Sequence, residues 1–353
     1  MNKIDKIKRD FGFWLSRKIN FPLVPPDTLQ ISLTSRCNLR CEMCSVWKAA
    51  NISEELTLKE IKDILNQCRE WGVKEVNLCG GEPLLCEICF DVIEYAKSLG
   101  LTVILTTNGT LITEEVARRL IQSKLDVITI SLDGARGKTH DKIRAQPGAY
   151  DKIMQGIRHL NNSPEEKKLI KVLILTLSNY NLDELEEYFH LAKGLSVDAL
   201  YITSVVLNNV KLYKQDSGSS EGNLWITGDR LKKLDEMIDK IDLLQQKGYG
   251  LNYPSFYLIK KYFRRDLCEG DWVCFAGYRR FVVVPGGSIQ MCGEEIGNIR
   301  REPSVKNNWF SLKAKKRRVK IKKCRNYCLQ DCHARQESAS LRDILKNNFR
   351  KQK

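Results

Sequence analysis

The sequence lacks the features of a membrane-spanning, exported or disordered chain. Its longest apolar stretches, such as Val172–Leu177 and Phe281–Pro285, fall far short of the roughly 20 residues that cross a bilayer. The opening MNKIDKIKRDFGFWLSRKINFPLV has no uninterrupted apolar core of the kind a signal peptide carries, so the expected compartment is the cytoplasm. Only nine prolines occur, and 42% of the 353 residues are hydrophobic against 29% charged. That balance excludes a low-complexity or fibrous chain and leaves a soluble globular one, long enough for a large domain and a smaller companion. Acidic residues are in deficit, 43 against 58 basic ones, for a formal net charge of +15.

Cysteine is missing from the whole middle of the chain, between Cys89 and Cys268, yet thirteen are present. A disulfide framework does not suit a chain without an export signal, because the cytosol keeps thiols reduced. Metal is the better reading. Cys37, Cys41 and Cys44 stand together, and six more run from Cys268 to Cys332, so two separated sites are expected.

From residue 28 to about 207 the sequence alternates short β-branched runs with longer amphipathic ones, the rhythm of βα units on a parallel sheet. Strands are expected at Leu29–Thr34, Glu75–Leu78, Thr102–Thr106, Val127–Leu132, Ile170–Leu177 and Ala199–Thr203. Helices are expected at Thr57–Gly72, Cys86–Leu99, Thr113–Ser123, Asp151–Leu160 and Leu182–Gly194. The predicted fold class is α/β, a partial (β/α)6 barrel followed by a small C-terminal α+β extension. The domain expectation is a basic segment at 1–27, the barrel at 28–207, a polar linker at 208–223 around QDSGSSEGN, and the extension at 224–353.

On such a sheet, chemistry belongs to the loops at the C-terminal ends of the strands. CNLRCEMC (Cys37–Cys44), CGGEP (Cys79–Pro83), TTNGT (Thr106–Thr110) and SLDG (Ser131–Gly134) fall after strands one to four, on one rim. The first has the spacing C-x3-C-x2-C and no fourth cysteine, whereas a cubane cluster normally takes four. One iron is left open, able to bind the amino and carboxylate groups of S-adenosylmethionine (SAM).

With this triad and spacing, the chain resembles the radical SAM superfamily. The resemblance implies a [4Fe–4S] cluster on Cys37, Cys41 and Cys44 that cleaves SAM reductively to a 5′-deoxyadenosyl radical, which then abstracts a hydrogen atom from substrate. Met43 departs from the aromatic residue usual before the third cysteine. Gly80, Gly81 and Glu82 resemble the family's GGE motif, which receives the methionyl ammonium. Thr107, Asn108, Ser131, Asp133 and Arg144 become candidate contacts to the SAM ribose and carboxylate. Taken without the resemblance, Asn-Gly and Asp-Gly pairs are ordinary turns.

The C-terminal cysteines run Cys268-x5-Cys274-x17-Cys292 and then Cys324-x3-Cys328-x3-Cys332, and RRFVVVPGGSIQMC between them reads as a hairpin turning at Pro-Gly-Gly. This resembles the SPASM/Twitch extension, implying at least one auxiliary [4Fe–4S] cluster on Cys268, Cys274, Cys292 and one of Cys324, Cys328 and Cys332. Two fully cysteine-ligated cubanes would need eight, so a second would draw on a substitute such as His333. Zinc is the competing reading for the final trio. Cys68 and Cys79 are expected to pack; Cys86 and Cys89 form a lone C-x2-C pair with a metal or redox alternative.

The resemblance leaves the substrate open. An oxidative maturase of peptides or proteins is the leading expectation, although the 27 residues before the first strand are fewer than the roughly 80 of a leader-recognition domain. A sugar or cofactor-precursor dehydrogenase or epimerase is the alternative. A non-catalytic iron–sulfur or zinc protein that binds nucleic acid is the third, and the GGE and SLDG loops argue against it. In place of the Asp that sulfatase activators set after the hairpin cysteine stands Gly293, with Glu294 and Glu295 beyond it as candidate catalytic carboxylates. A reducing partner such as flavodoxin or ferredoxin is implied. Two basic segments remain: Lys313–Arg325, read as a solvated face, an offset to cluster charge or a contact to acidic or phosphate-bearing groups, and Ile4–Ile19, which suits a membrane surface, a partner, or packing under the barrel.

Overall fold

The computed structural model describes residues 3–49, 54–162, 169–206, 221–246, 256–268, 270–271, 273–325 and 328–329. The linker expected at 208–223 lies outside them except for its last three residues, as do Cys332 and His333.

After helix α1 (Lys3–Ile19), six strands follow in sequence: β1 (Thr28–Thr34), β2 (Glu75–Gly80), β3 (Thr102–Thr107), β4 (Val127–Ser131), β5 (Ile170–Leu177) and β6 (Ala199–Ser204). Each pairs in parallel with the next. The crossovers are α2 (Leu58–Trp71), α3 (Cys89–Ser98), α4 (Glu114–Gln122), the pair α5 (Gly137–Arg144) and α6 (Ala149–Asn161), and α7 (Leu185–Gly194). This is the expected partial (β/α)6 barrel. Along β3 to β6 burial alternates strictly. Val103, Leu105, Ile128, Ile130, Leu173 and Leu175 join the main core under the helices. The alternate positions, including Asn77, Thr106, Thr129, Ser131, Thr176 and Thr203, are half-buried on the opposite face, as a period of two requires.

Beyond α8 (Glu221–Leu224), α9 (Arg230–Gln246) and α10 (Phe256–Phe263), the C-terminal hairpin forms at the expected place, as β7 (Arg280–Val283) and β8 (Ser288–Met291), with β9 (Glu294–Asn298) returning beside them. It does not stand apart from the barrel. β7 lies parallel to β1, pairing Leu29 with Phe281 and Ile31 with Val283, so among the described residues one sheet runs β6-β5-β4-β3-β2-β1-β7-β8-β9. Two helices, α11 (Val305–Phe310) and α12 (Leu312–Lys322), close the described chain.

Charged groups fasten this addition. Arg279, 6% exposed, donates to Asp27 at 2.8 Å and to Asp10 of α1 at 2.9 Å. At the other end Arg300 reaches Glu60 at 2.7 Å. Glu60 also completes a capping box with Thr57 at the start of α2, satisfying two helix donors that would otherwise go unpaired. Its hydrogen bond to Arg300, opposed by burial and reinforced by the bonds at Thr57, holds the Glu60 carboxyl down at about 2.

Replacing Glu60 with Ala is expected to lower the unfolding free energy by about 1–2 kcal/mol at neutral pH, the cap and a half-exposed ion pair together. Because the folded-state pKa is depressed, this contribution is present above the ordinary value of 4.5 and disappears as pH falls towards 2. Urea titrations of both proteins across that window should converge; a gap that stays constant with pH would show that the carboxylate charge contributes nothing.

Candidate active site

The Cys37–Cys44 loop leaves β1 and is seated by a small apolar cluster of Leu39, Cys41 and Ala149, with Cys37, Met43 and Cys44 against it. Met43 thus fills a packing position. Donors approach two of the sulfurs: the Leu39 N–H lies 3.4 Å from Cys37 Sγ and Asn108 Nδ2 3.9 Å from it, while Arg144 Nη1 lies 3.7 Å from Cys41 Sγ. Burial pushes the Cys37 and Cys44 thiols up, and backbone N–H groups of Val46 and Trp47 oppose this at Cys44. Beside them Ser45 Oγ and Trp47 Nε1 are buried with no hydrogen-bond partner among the described residues. Three thiols ringed by N–H donors and a cation suit an anionic thiolate cluster, whose binding would displace the thiol protons.

The GGE loop is laced directly beneath. Gly81 N–H donates to Thr34 O at 2.7 Å and Glu82 N–H to Arg36 O at 2.8 Å. Gly80 has a φ of +135°, and a Cβ at Gly81 would collide with the Arg36 carbonyl. Both glycines are therefore required by the approach of this loop to the cysteine loop, a reason that the motif alone does not disclose. Glu82 is fully buried. Its carboxylate accepts from Thr107 Oγ1 at 2.7 Å, Asn108 N at 2.8 Å and Leu84 N at 3.1 Å, while burial raises its pKa. The glutamate expected to receive an ammonium thus binds the loops after β2 and β3 together, and the Asn108 it fixes reaches Asn38 at 2.8 Å.

Asp133 and Arg144, expected as separate contacts, form one buried pair at 2.6 Å. Asp133 also accepts from Thr176 N at 2.7 Å. Burial, which lowers the Arg144 pKa, is outweighed by Asp133 and Cys41, which raise it. Arg144 Nε keeps no partner among the described residues. His140 Nδ1 accepts the Asp133 N–H at 3.0 Å, and burial followed by Arg144 drives its pKa down to about 3. Ser131 lies half-buried at the end of β4. Glu184, which no pattern in the sequence marked, orders the start of α5 by accepting from Ala135 N at 2.9 Å, Arg136 N at 3.2 Å and Thr139 Oγ1.

The second cysteine group is partly assembled. Cys292 (φ +48°) and Gly293 (φ +75°) make the two-residue turn between β8 and β9, with positive φ at both positions as in a type I′ hairpin turn. Gly293 is explained by that geometry. Arg317 clamps the turn, donating to Met291 O at 3.0 Å and to Cys292 O. Cys274 is raised by burial and then by Cys328 and Cys292, so these three share one neighbourhood. Cys268 lies exposed, 3.0 Å from the Asp271 carboxylate, and Cys324 is exposed at the end of α12. Among the described residues no group of three or more His, Cys, Asp or Glu is placed to hold a single metal ion. Glu294 pairs with Arg317 and Lys320 of α12, and Glu295 with Lys313 of α12 and with Arg301, so the structure places both candidate carboxylates in ion pairs. Cys68 and Cys89 are fully buried, and Cys79 sits 2.8 Å from Gln30 Nε2.

Two outcomes follow. Gly81→Ala should push the Arg36 carbonyl and lower the iron bound per chain after anaerobic reconstitution, whereas Gly194→Ala, where a Cβ meets nothing within 4 Å, should leave it unchanged. Equal iron in both variants would refute the laced-loop account. Arg144→Met, which leaves Asp133 buried and unpaired, should cost about 3–5 kcal/mol in urea unfolding. Adding Asp133→Asn should recover a large part of the loss; a double variant as unstable as the single would deny the pairing.

Known proteins are similar to this chain in sequence or in fold. Residues 31–192, spanning β1 to α7, match the Radical SAM superfamily. AdoMet-dependent heme synthase of Methanosarcina barkeri is 33% identical over 182 residues, 51% of this chain and 51% of that protein, so the chain spans about half that relative's length. Mycofactocin maturase MftC of Mycolicibacterium smegmatis is 28% identical over 292 residues, 80% of this chain and 70% of the relative. The structure of Streptococcus suis SuiB bound to S-adenosylmethionine has the same fold, with a TM-score of 0.65 at 18% identity over 86% of this chain and 70% of that one. The matched segment contains the cysteine triad, the GGE loop and the Asp133–Arg144 pair, so residues 31–192 form a radical SAM domain, of the superfamily that uses a [4Fe–4S] cluster and SAM.

Proposed function

We propose that this chain cleaves SAM reductively at the Cys37–Cys41–Cys44 loop and uses the resulting radical to oxidise a peptide or protein substrate. The observation that carries the reading is the convergence of four loops on one rim, fastened by Glu82 and by the Asp133–Arg144 pair. When bound, a [4Fe–4S] cluster and SAM supply one-electron cleavage and a hydrogen-abstracting radical. The chain's own residues hold, orient and enclose. Cys37, Cys41 and Cys44 are the proposed ligands. The backbone at Gly80 and Gly81, together with Thr107, Asn108 and Ser131, lines the proposed SAM site. Arg144 offers Nε to an anionic group such as the SAM carboxylate.

Similarity to a maturase over 80% of the chain supports the peptide substrate. The shared neighbourhood of Cys274, Cys292 and Cys328 supports an auxiliary cluster there, with a fourth ligand from Cys268, Cys324 or Cys332. A second reading, a cofactor precursor as substrate, is favoured by the 33% identity to a heme synthase. Reconstituted protein given dithionite and SAM should release 5′-deoxyadenosine, and a Cys37→Ala/Cys41→Ala/Cys44→Ala variant should release none. No release from fully loaded protein would end the enzyme reading. A candidate precursor peptide should emerge lighter by two hydrogens per modification; turnover of a tetrapyrrole precursor with every peptide unchanged would select the second reading.

A further inference from the structure

Helix α1 is built inside out. Its inward side carries polar groups: Asp10 pairs with Arg279, Arg9 with Asp27, Arg17 Nε donates to Cys274 O at 2.9 Å, and Ser16 accepts from Leu23 N at 2.8 Å. Phe13 is the one large apolar side chain that it buries there, against Phe275 and Tyr278. Its outward side carries Ile4, Lys8, Phe11, Lys18 and Ile19, all exposed, with Ile4 at 63% and Ile19 at 52%. At 100° per residue these fall within one stripe of the helix. Of the two acidic residues in α1, Asp10 is turned inward, and Asp5 alone shares the outer side.

Helix α12 repeats the pattern. Lys313, Arg317 and Lys320 face β9, where Glu294 and Glu295 meet them. The face away from β9 presents Leu312, Lys315, Lys316, Val319 and Lys322, all exposed, with no acidic residue anywhere in the helix. The two outer faces adjoin: Lys322 Nζ donates to Lys18 O at 2.9 Å, and the rings of Phe21 and Phe310 lie 5.7 Å apart. Eight large apolar side chains counted as exposed, Ile4, Phe11, Ile19, Phe21, Leu23, Phe310, Leu312 and Val319, belong to this platform, against three elsewhere among the described residues. Residues 20–27 lead into the start of β1, and Trp71, which precedes β2, packs on Phe310 at 6.0 Å. The platform therefore lies towards the N-terminal ends of the strands, opposite the rim that carries Cys37.

We infer that this platform docks on the surface of an anionic lipid bilayer. Lysines interleaved with exposed aliphatic and aromatic side chains match a headgroup layer, where anionic lipid attracts the cations and the interface takes the apolar tips. A nucleic-acid backbone would satisfy the lysines and leave Ile4, Phe11, Ile19, Leu312 and Val319 in water. No helix among the described residues is long and apolar enough to cross a membrane, so the contact is peripheral, with the catalytic rim turned away from the lipid.

The test uses the full chain with clusters reconstituted, sedimented with vesicles of phosphatidylcholine alone or mixed equally with phosphatidylglycerol. Binding is expected to the anionic vesicles only and to weaken as salt is raised. Phe11→Ser/Ile19→Ser and Lys315→Glu/Lys322→Glu should each reduce it by about tenfold or more, with melting temperatures unchanged. Failure to bind anionic vesicles, binding that both double variants leave intact, or capture by RNA without capture by vesicles would each overturn the inference. So would a dimer in light scattering that the same substitutions dissociate, since the face would then be covered by a second copy.

Discussion

One buried guanidinium holds the rim together. Arg144 takes Asp133 from the end of β4 on one side and faces Cys41 from the loop after β1 on the other, although β2 and β3 stand between those strands. Its planar fork serves two acceptors in fixed geometry, which the single ammonium of a lysine does not reproduce. A carboxylate as buried as Asp133 is costly alone, and so is an unpaired guanidinium. Each is tolerated because the other is present. A thiolate-bound cluster on this loop would add negative charge where Arg144 already points a donor towards Cys41.

Around that charge, close backbone approach completes the arrangement. Gly81 and Glu82 donate into the β1 loop, and Glu82 sends its carboxylate to the β3 loop, so the first three loops are tied to one another. The β7 strand pairs with β1 from the other side. β1 thus leads into the Cys37–Cys44 loop, while its neighbour leads, through the Pro285–Gly287 turn and β8, to Cys292. The two cysteine groups are connected through hydrogen-bonded strands, with the buried Arg279–Asp10–Asp27 group fastening the point where they begin.

The barrel was legible because its signals are local. The β-branched run Ile170–Leu177, the helical pattern of Thr57–Gly72 and the rim motifs are each read within a short stretch of sequence. What escaped is carried by polar burial. α5 packs with His140, Ile143 and Arg144 inward, so it has no apolar stripe to count. α1 hides its polar side for the same reason. The role of Glu82 escaped because a buried carboxylate with three donors looks, in sequence, like one awaiting a ligand. Glu184 and Arg317 act on segments 49 and 25 residues away, a distance no motif spans. The joining of β7 to β1 likewise depends on a pairing across some 250 residues.

Charge excess and fold are reconciled in α12. With seven of its eleven residues basic, the other four apolar and none acidic, the helix looks uniformly cationic, but its three sides have separate surroundings. Arg318 is buried, bonded to Gly277 O at 2.7 Å and Trp309 O at 2.8 Å, and lies over the Trp309 ring; burial lowers its pKa to about 10. A second side neutralises Glu294 and Glu295 and, through Arg317, fixes the turn of Cys292. Only the third side, Lys315, Lys316 and Lys322, adds its charge to solvent next to exposed apolar groups. A net charge of +15 therefore does not describe one diffuse field: part is consumed inside the fold, part positions a cysteine, and part lies on a face away from the Cys37 rim.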